Sequence, residues 1–226
     1  MLVELRGLLS RTTRAAVRDR LAALLHVHAC VLLDVNDLQI QRASTLRVVT
    51  AAMDQAGGWP DARLVLLTTD PLMREALQTS GVTRHLWVAQ SKDLARARCP
   101  MRPPHVRARW TVPPAIDAPA RLRPRVRQRC LRWGLAEDAV QDAVLVVNEL
   151  VSNAVDHART SLRLQVHYDG RLLRIKVTDH SLDPPRLMPH DMYATRGRGL
   201  QLVDALAQRW GWTTHNRGKT VWATLS

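Results

Sequence analysis

The stretch Glu149-Leu150-Val151-Ser152-Asn153-Ala154-Val155-Asp156-His157 carries polar groups at a spacing that could do chemistry. At about 100° per residue, with Glu149 set at 0°, Asn153 falls near 40°, Asp156 near −20° and Asp142 near 20°. Ala143, Val147, Leu150, Val151, Ala154, Val155 and Ala158 then occupy the arc from about 100° to 240°. Glu149 and Asn153 are i and i+4 neighbours, stacked on one face. Carboxylates and an amide carbonyl are hard oxygen donors of the kind Mg²⁺ accepts while keeping waters and phosphates. The stripe holds no basic residue before His157, in a chain crowded with arginine. Taken alone, it reads first as the solvated face of an amphipathic helix.

Three downstream features share that chemistry. Asp179 ends the strand-like run Arg171–Asp179, so its carboxylate emerges at a sheet end. Gly197 and Gly199 precede a helix-like segment starting at Leu200. Glycine before a helix N-terminus lets backbone N–H groups approach phosphate, where the dipole favours an anion. Gly218 leads into the closing strand, Gly-Lys-Thr-Val-Trp-Ala-Thr-Leu. Each has an ordinary reading as a turn; their order makes them a set.

The elements that must position these residues form two groups. Up to about residue 98, apolar runs alternate with helical spacing: strands at "LVELRG", "ACVLLDV", "ARLVLLTT" and "HLWVA", with helices at 12–25, 45–56 and 71–80 and a short one after Ser91. That alternation implies a sheet covered by helices. "CPMRPPHVRARWTVPP" then carries five prolines and little periodicity, marking a linker or an extended strand. Helices are expected at 118–134, 137–158 and 200–208. Two alternating strands joined at Gly170-Arg171 form a hairpin, and a final strand closes the chain. The expected fold is α/β followed by α+β, in two domains: residues 1–98, a linker at 99–106, and 107–226 with helices on one face of a mixed sheet.

The 226 residues are 46% hydrophobic, enough for packed cores. No apolar run approaches the roughly 18–20 residues of a membrane span. The first twenty residues mix charges into the apolar stretch and lack a cleavage site of secretory type. The three cysteines are widely spaced and odd in number, which predicts neither a disulfide framework nor a zinc site and implies a reduced, cytoplasmic setting. The formal charge of +13 comes from 33 basic and 20 acidic residues. It is mostly arginine, spread over both halves, which points away from a nucleic-acid footprint; the arginine-rich helix near 121–132 is where such binding would sit.

"NELVSNAVDHA", "VTDHS", "GRGL" and "GKTVWATL", in that order, resemble the GHKL (Bergerat-fold) ATPases, and within them the anti-sigma factor serine/threonine kinases of bacterial partner switching. The resemblance covers about residues 107–226. It implies ATP and Mg²⁺ as ligands. Asn153 would coordinate the metal and Glu149 would act as general base toward a protein hydroxyl. Asp179 would accept from the adenine amino group, with Thr220 supporting it, and Ser181 stands where the family has glycine. Gly197 and Gly199 would form the phosphate-side lid, with Arg196 or Arg198 able to reach phosphate and Leu200 beside them in the nucleotide site, and His157 matches a position near the phosphates.

Residues 3–98 resemble, through "ACVLLDVNDLQIQRASTLRVV", the STAS domain of anti-anti-sigma factors. Ser44 falls on that family's phosphoacceptor position. Ser44 before a helix also reads as an N-cap. The implied function is an ATP-dependent anti-sigma-type kinase fused to a STAS-like domain, with a sigma factor or STAS protein as partner and homodimerisation as a family trait. The alternative is a non-catalytic module that binds ATP as a structural ligand and sequesters a sigma factor.

Overall fold

The computed structural model describes residues 1–158, 160–182 and 199–226, with the backbone alone for His157 and Ala158. Two compact units divide the chain, Met1–Arg107 and Ala108–Ser226.

The first unit runs β1 (Leu2–Glu4), β2 (Gly7–Leu9), α1 (Arg14–Val27), β3 (Val31–Asp34), β4 (Leu38–Ile40), α2 (Arg47–Gln55), β5 (Leu64–Leu67), α3 (Pro71–Thr79), β6 (Trp87–Ala89) and α4 (Lys92–Arg98). Its main sheet has the order β1-β3-β5-β6, and all three pairings are parallel. Strands β2 and β4 form a separate parallel pair. The unbroken apolar runs of β3 and β5 follow from burial on both faces, as parallel strands require. Val31, Leu33, Leu64 and Leu66 join one core with α1, α2 and α3. Leu32 and Val65 face the other way, toward Ala95 of α4. Asp70 caps α3 by accepting from Leu72 N at 2.9 Å, and Ser91 caps α4 through Leu94 N at 3.2 Å.

The cysteine expectation is corrected here. A disulfide joins Cys30 to Cys99, with Cα atoms 6.3 Å apart. That separation lies inside the usual disulfide range. The sequence distance of 69 residues hid the pair. The parallel topology brings the start of β3 and the end of α4 to one side of the sheet.

The second unit opens with β7 (Val106–Val112), whose first two residues belong to the first unit. It continues with α5 (Ala118–Arg132), α6 (Glu137–Ala158), β8 (Leu162–Tyr168), β9 (Leu173–Asp179), α7 (Gly199–Leu206), β10 (Arg209–His215) and β11 (Gly218–Leu225). The sheet order is β10-β11-β9-β8-β7, and the pairings of β10 with β11, β11 with β9, and β9 with β8 are antiparallel. Glu137 and Asp138 open α6, where the helix dipole favours acids. Asp169 Oδ1 accepts from the Arg171 and Leu172 amides, which closes the β8–β9 hairpin. Val147, Leu150, Val151 and Ala154 of α6 are buried with Ile175 and Val177 of β9 and Val221 of β11. The apolar arc of α6 is therefore its core face.

Strands β2, β4 and β10 had no signal in the sequence. The first two span only three residues each. β10 is an edge strand, half-buried or exposed along its whole length, so its pattern does not alternate. Among the described residues, no helix is long and apolar enough to cross a membrane.

Candidate nucleotide site

Asp179 is the last residue of β9 and is only 1% exposed. Alternation along β9 turns it to the helix-covered face, in step with Ile175 and Val177. Its Oδ1 accepts from the Ser181 amide at 2.8 Å and from Lys219 Nζ at 3.2 Å. Its Oδ2 is buried without a partner among the described residues. A buried carboxylate oxygen left so costs free energy unless something fills the gap.

Gly218 holds this corner together. Its φ is +141°, and an added Cβ would run into the carbonyl oxygen of Asp179 and come 2.7 Å from His180 Cα. Only glycine lets β11 start against the end of β9 in this way.

On α6, Glu149 and Asn153 are one turn apart and both half-buried. Glu149 Oε1 accepts from Asn148 Nδ2 at 2.9 Å. Asn153 Nδ2 is buried with no partner among the described residues. Gly199, the first residue of α7, packs directly on Glu149: a Cβ there would strike the carboxylate and lie 3.4 Å from Glu149 Cβ. A helix N-terminus thus meets an acid one turn from an unsatisfied amide. Among the described residues no three His, Cys, Asp or Glu side chains gather to hold a metal. The carbonyl oxygen of Asn153 is a hard donor of the kind Mg²⁺ accepts beside water and phosphate.

The residues fit a nucleotide. One buried acceptor and one buried amide stand without partners among the described residues, and two glycines let the backbone close in beside Asp179 and Glu149. The sequence profile of the histidine kinase-like ATPase domain matches residues 112–225, half of the chain. The chain belongs to the histidine kinase-like ATPase family. No curated protein matches it in sequence. Among solved structures it is similar to the RsbU and RsbW domains of a Mycobacterium tuberculosis protein, at 21% identity and TM-score 0.42 over 53% of this chain. The chain spans 31% of that protein's length. It is also similar to an anti-sigma factor antagonist from Mycobacterium paratuberculosis (14% identity, 43% of this chain, 83% of that one, TM-score 0.38). Phosphorylated SpoIIAA of Bacillus gives 20% identity, 43% and 87% coverage and TM-score 0.32.

Within the ATPase domain, Thr220 is placed away from Asp179. It pairs with Thr178 in the β11–β9 register, and their hydroxyls are 2.8 Å apart. Alternation puts both on the face opposite Asp179. The residue beside Asp179 is Lys219, which the sequence reading passed over. Its register position, one step from Thr220, was the available signal. A cleft of about 590 Å³ lies at the same end of the sheet, lined by Thr111, Arg163, Thr178, His180 and Arg217. Its Thr178 lining marks it as a feature of that opposite face. Leu200 is buried in the core as the second residue of α7, and Ser181 contributes its amide to Asp179. Arg196, Gly197 and Arg198 lie outside the described residues, as does the side chain of His157.

In the first unit Ser44 sits in a 3₁₀ turn, Ala43–Leu46, rather than at the cap of α2. α2 begins at Arg47 after Leu46, with no side-chain cap. The N-cap reading of Ser44 is thus corrected: the 3₁₀ turn inserts before the helix. Ser44 is exposed, and its hydroxyl has no partner among the described residues.

Proposed function

We propose that this chain is an ATP-dependent protein serine/threonine kinase of anti-sigma type, acting in partner-switching control of transcription. The observation that carries the reading is the triangle of Glu149, Asn153 and the N-terminus of α7 at Gly199. Phosphoryl transfer needs positioning and charge neutralisation more than covalent help, and this corner offers both. ATP would supply the phosphoryl group, and magnesium would neutralise its charge. Asn153 would offer its carbonyl oxygen to the metal. Asp179 Oδ2 would accept from the base. The backbone at Gly199 would face the phosphates. Glu149 would take the proton of the incoming serine hydroxyl.

The acceptor would be a STAS-type protein, and Ser44 is the matching position within this chain. Phosphate on its exposed hydroxyl would add roughly −1.5 to −2 charge close to Arg42 and Arg47. A sigma factor as the protein partner, a homodimer and a cytoplasmic setting belong to the same reading. Ser181, in place of a glycine, favours the second reading, a non-catalytic module that holds ATP and sequesters its partner.

Calorimetric titration with ATP and ADP, with and without Mg²⁺, tests the site. Phosphate transfer to a STAS substrate, before and after Glu149→Ala, tests the kinase. If nucleotide binds but the wild type phosphorylates no STAS protein, itself included, the second reading stands and the first falls.

A further inference from the structure

Lys219 is the largest of the fully buried side chains, at 1% exposure. A lysine so deeply buried is rare unless it is paired. Its partner is Asp179, equally buried, and the ion pair closes at 3.2 Å. The pair is lopsided. Asp179 Oδ1 takes both the ammonium and the Ser181 amide, while Oδ2 takes nothing among the described residues. The ammonium has three protons, and Asp179 is its partner among the described residues.

A buried ion pair stabilises a fold only when its remaining lone pairs and protons are also satisfied. Here Oδ2 is without a partner among the described residues, and the neighbouring ammonium, with three protons, donates to Oδ1. A purine edge bearing an exocyclic amine beside an unprotonated ring nitrogen presents the complementary order, donor then acceptor. Resting on the nucleotide site proposed above, we propose that Lys219 is a positioning residue for base recognition. Its ammonium locks one oxygen of Asp179 inside the fold, leaves the other as the acceptor for the base amine, and offers a donor to the ring nitrogen beside it. The selectivity of the site for a 6-aminopurine depends on Lys219.

A merely structural lysine predicts something else. Removing it would weaken every nucleotide alike, through the fold. Removing a positioning lysine spares the phosphate contacts and erases the distinction between bases.

The test is calorimetric titration of the full chain with Mg²⁺ and two ligands, ADP and the diphosphate of purine riboside, which lacks the 6-amino group. A hydrogen bond from the base to a charged group corresponds to roughly tenfold or more in affinity, so the wild type should prefer ADP by at least about that factor. In Lys219→Met the purine riboside diphosphate loses the ring-nitrogen donor alone, while ADP also loses the fixed acceptor for its amine, so both weaken, ADP by about tenfold more, and the preference falls below about threefold. Lys219→Gln, neutral but still a donor, is read in the same way if the methionine variant does not fold, and should retain an intermediate preference. An unchanged preference in the variant, or an equal loss for both ligands, overturns the assignment. A wild type that binds neither nucleotide overturns the proposed function itself and takes this assignment with it.

Discussion

Gly199 packs so closely on Glu149 that any Cβ at position 199 would meet the carboxylate. The two residues lie 50 positions apart, on α7 and α6, and the carboxylate ends up against a helix N-terminus. Gly199→Ala should favour α7 intrinsically by up to about 1 kcal/mol, because alanine is the better helix former. It should also push Glu149 out of place. A misplacement of about 1 Å can cost on the order of a hundredfold in rate. The expected outcome is a phosphotransfer rate reduced roughly tenfold to a hundredfold, with ADP affinity changed less than about threefold. Single-turnover kinetics beside calorimetry separates the two; a variant at wild-type rate would mean that Glu149 is not the base.

Thr220 and Asp179 should respond in opposite ways. Thr220→Val removes a hydroxyl pair on the far face of the sheet, 2.8 Å from Thr178. It should lower stability by about 1 kcal/mol and leave nucleotide affinity within about twofold. Asp179→Ala removes the buried acceptor and strands the Lys219 ammonium. It should destabilise the domain by about 3–5 kcal/mol and abolish measurable nucleotide binding. Thermal melts and titrations of both variants decide the point, and a Thr220→Val protein that loses nucleotide would return Thr220 to the site.

The three cysteines should divide two to one. Cys30 and Cys99 are joined, whereas Cys130 is fully buried and burial pushes its thiol up to about 12. The native, unreduced protein should take up no thiol label. Denatured without reductant it should label at Cys130 alone, and with reductant at all three. Cys30→Ser should cost on the order of 2–4 kcal/mol, since it opens a loop of 69 residues in the unfolded chain. Mass spectrometry of the labelled species reads this directly; labelling of Cys30 in the native protein would mean that the pair stands reduced.

How much of this was legible in sequence depends on where each signal lives. The Glu149–Asn153 stripe was readable because helical spacing alone puts side chains on one face, and the fold buries the opposite arc as expected. Asp179 was readable as the end of an alternating strand. Lys219 was not, because its role depends on which β11 residue pairs with Asp179, and a shift of one residue exchanges it with Thr220. The Cys30–Cys99 pair depends on parallel strand order, which no local pattern carries. Ser44 shows the limit at a boundary: the helical pattern starts at Thr45, but a 3₁₀ turn takes up Ala43–Leu46 before α2 begins.

His85 should make the first unit lose stability as pH falls. Burial, reinforced by the neighbouring charge of Arg107, pushes its imidazole down to about 4. It lines a small cavity with Trp59, Arg107 and His105, whose ring stands edge-on at 5.8 Å. The folded state therefore keeps His85 neutral, while the unfolded chain protonates it near pH 6.5. Between those values the unfolded state binds more protons, so stability is full above about 6.5 and is lost as pH falls toward 4. Discounted for the part of the ring that water still reaches, the loss is on the order of 1–2 kcal/mol. His85→Gln should flatten that part of the curve. Denaturant melts of both proteins from pH 7.5 to 4.5 measure it. If the two curves fall in parallel, the acid sensitivity of this unit lies in other groups.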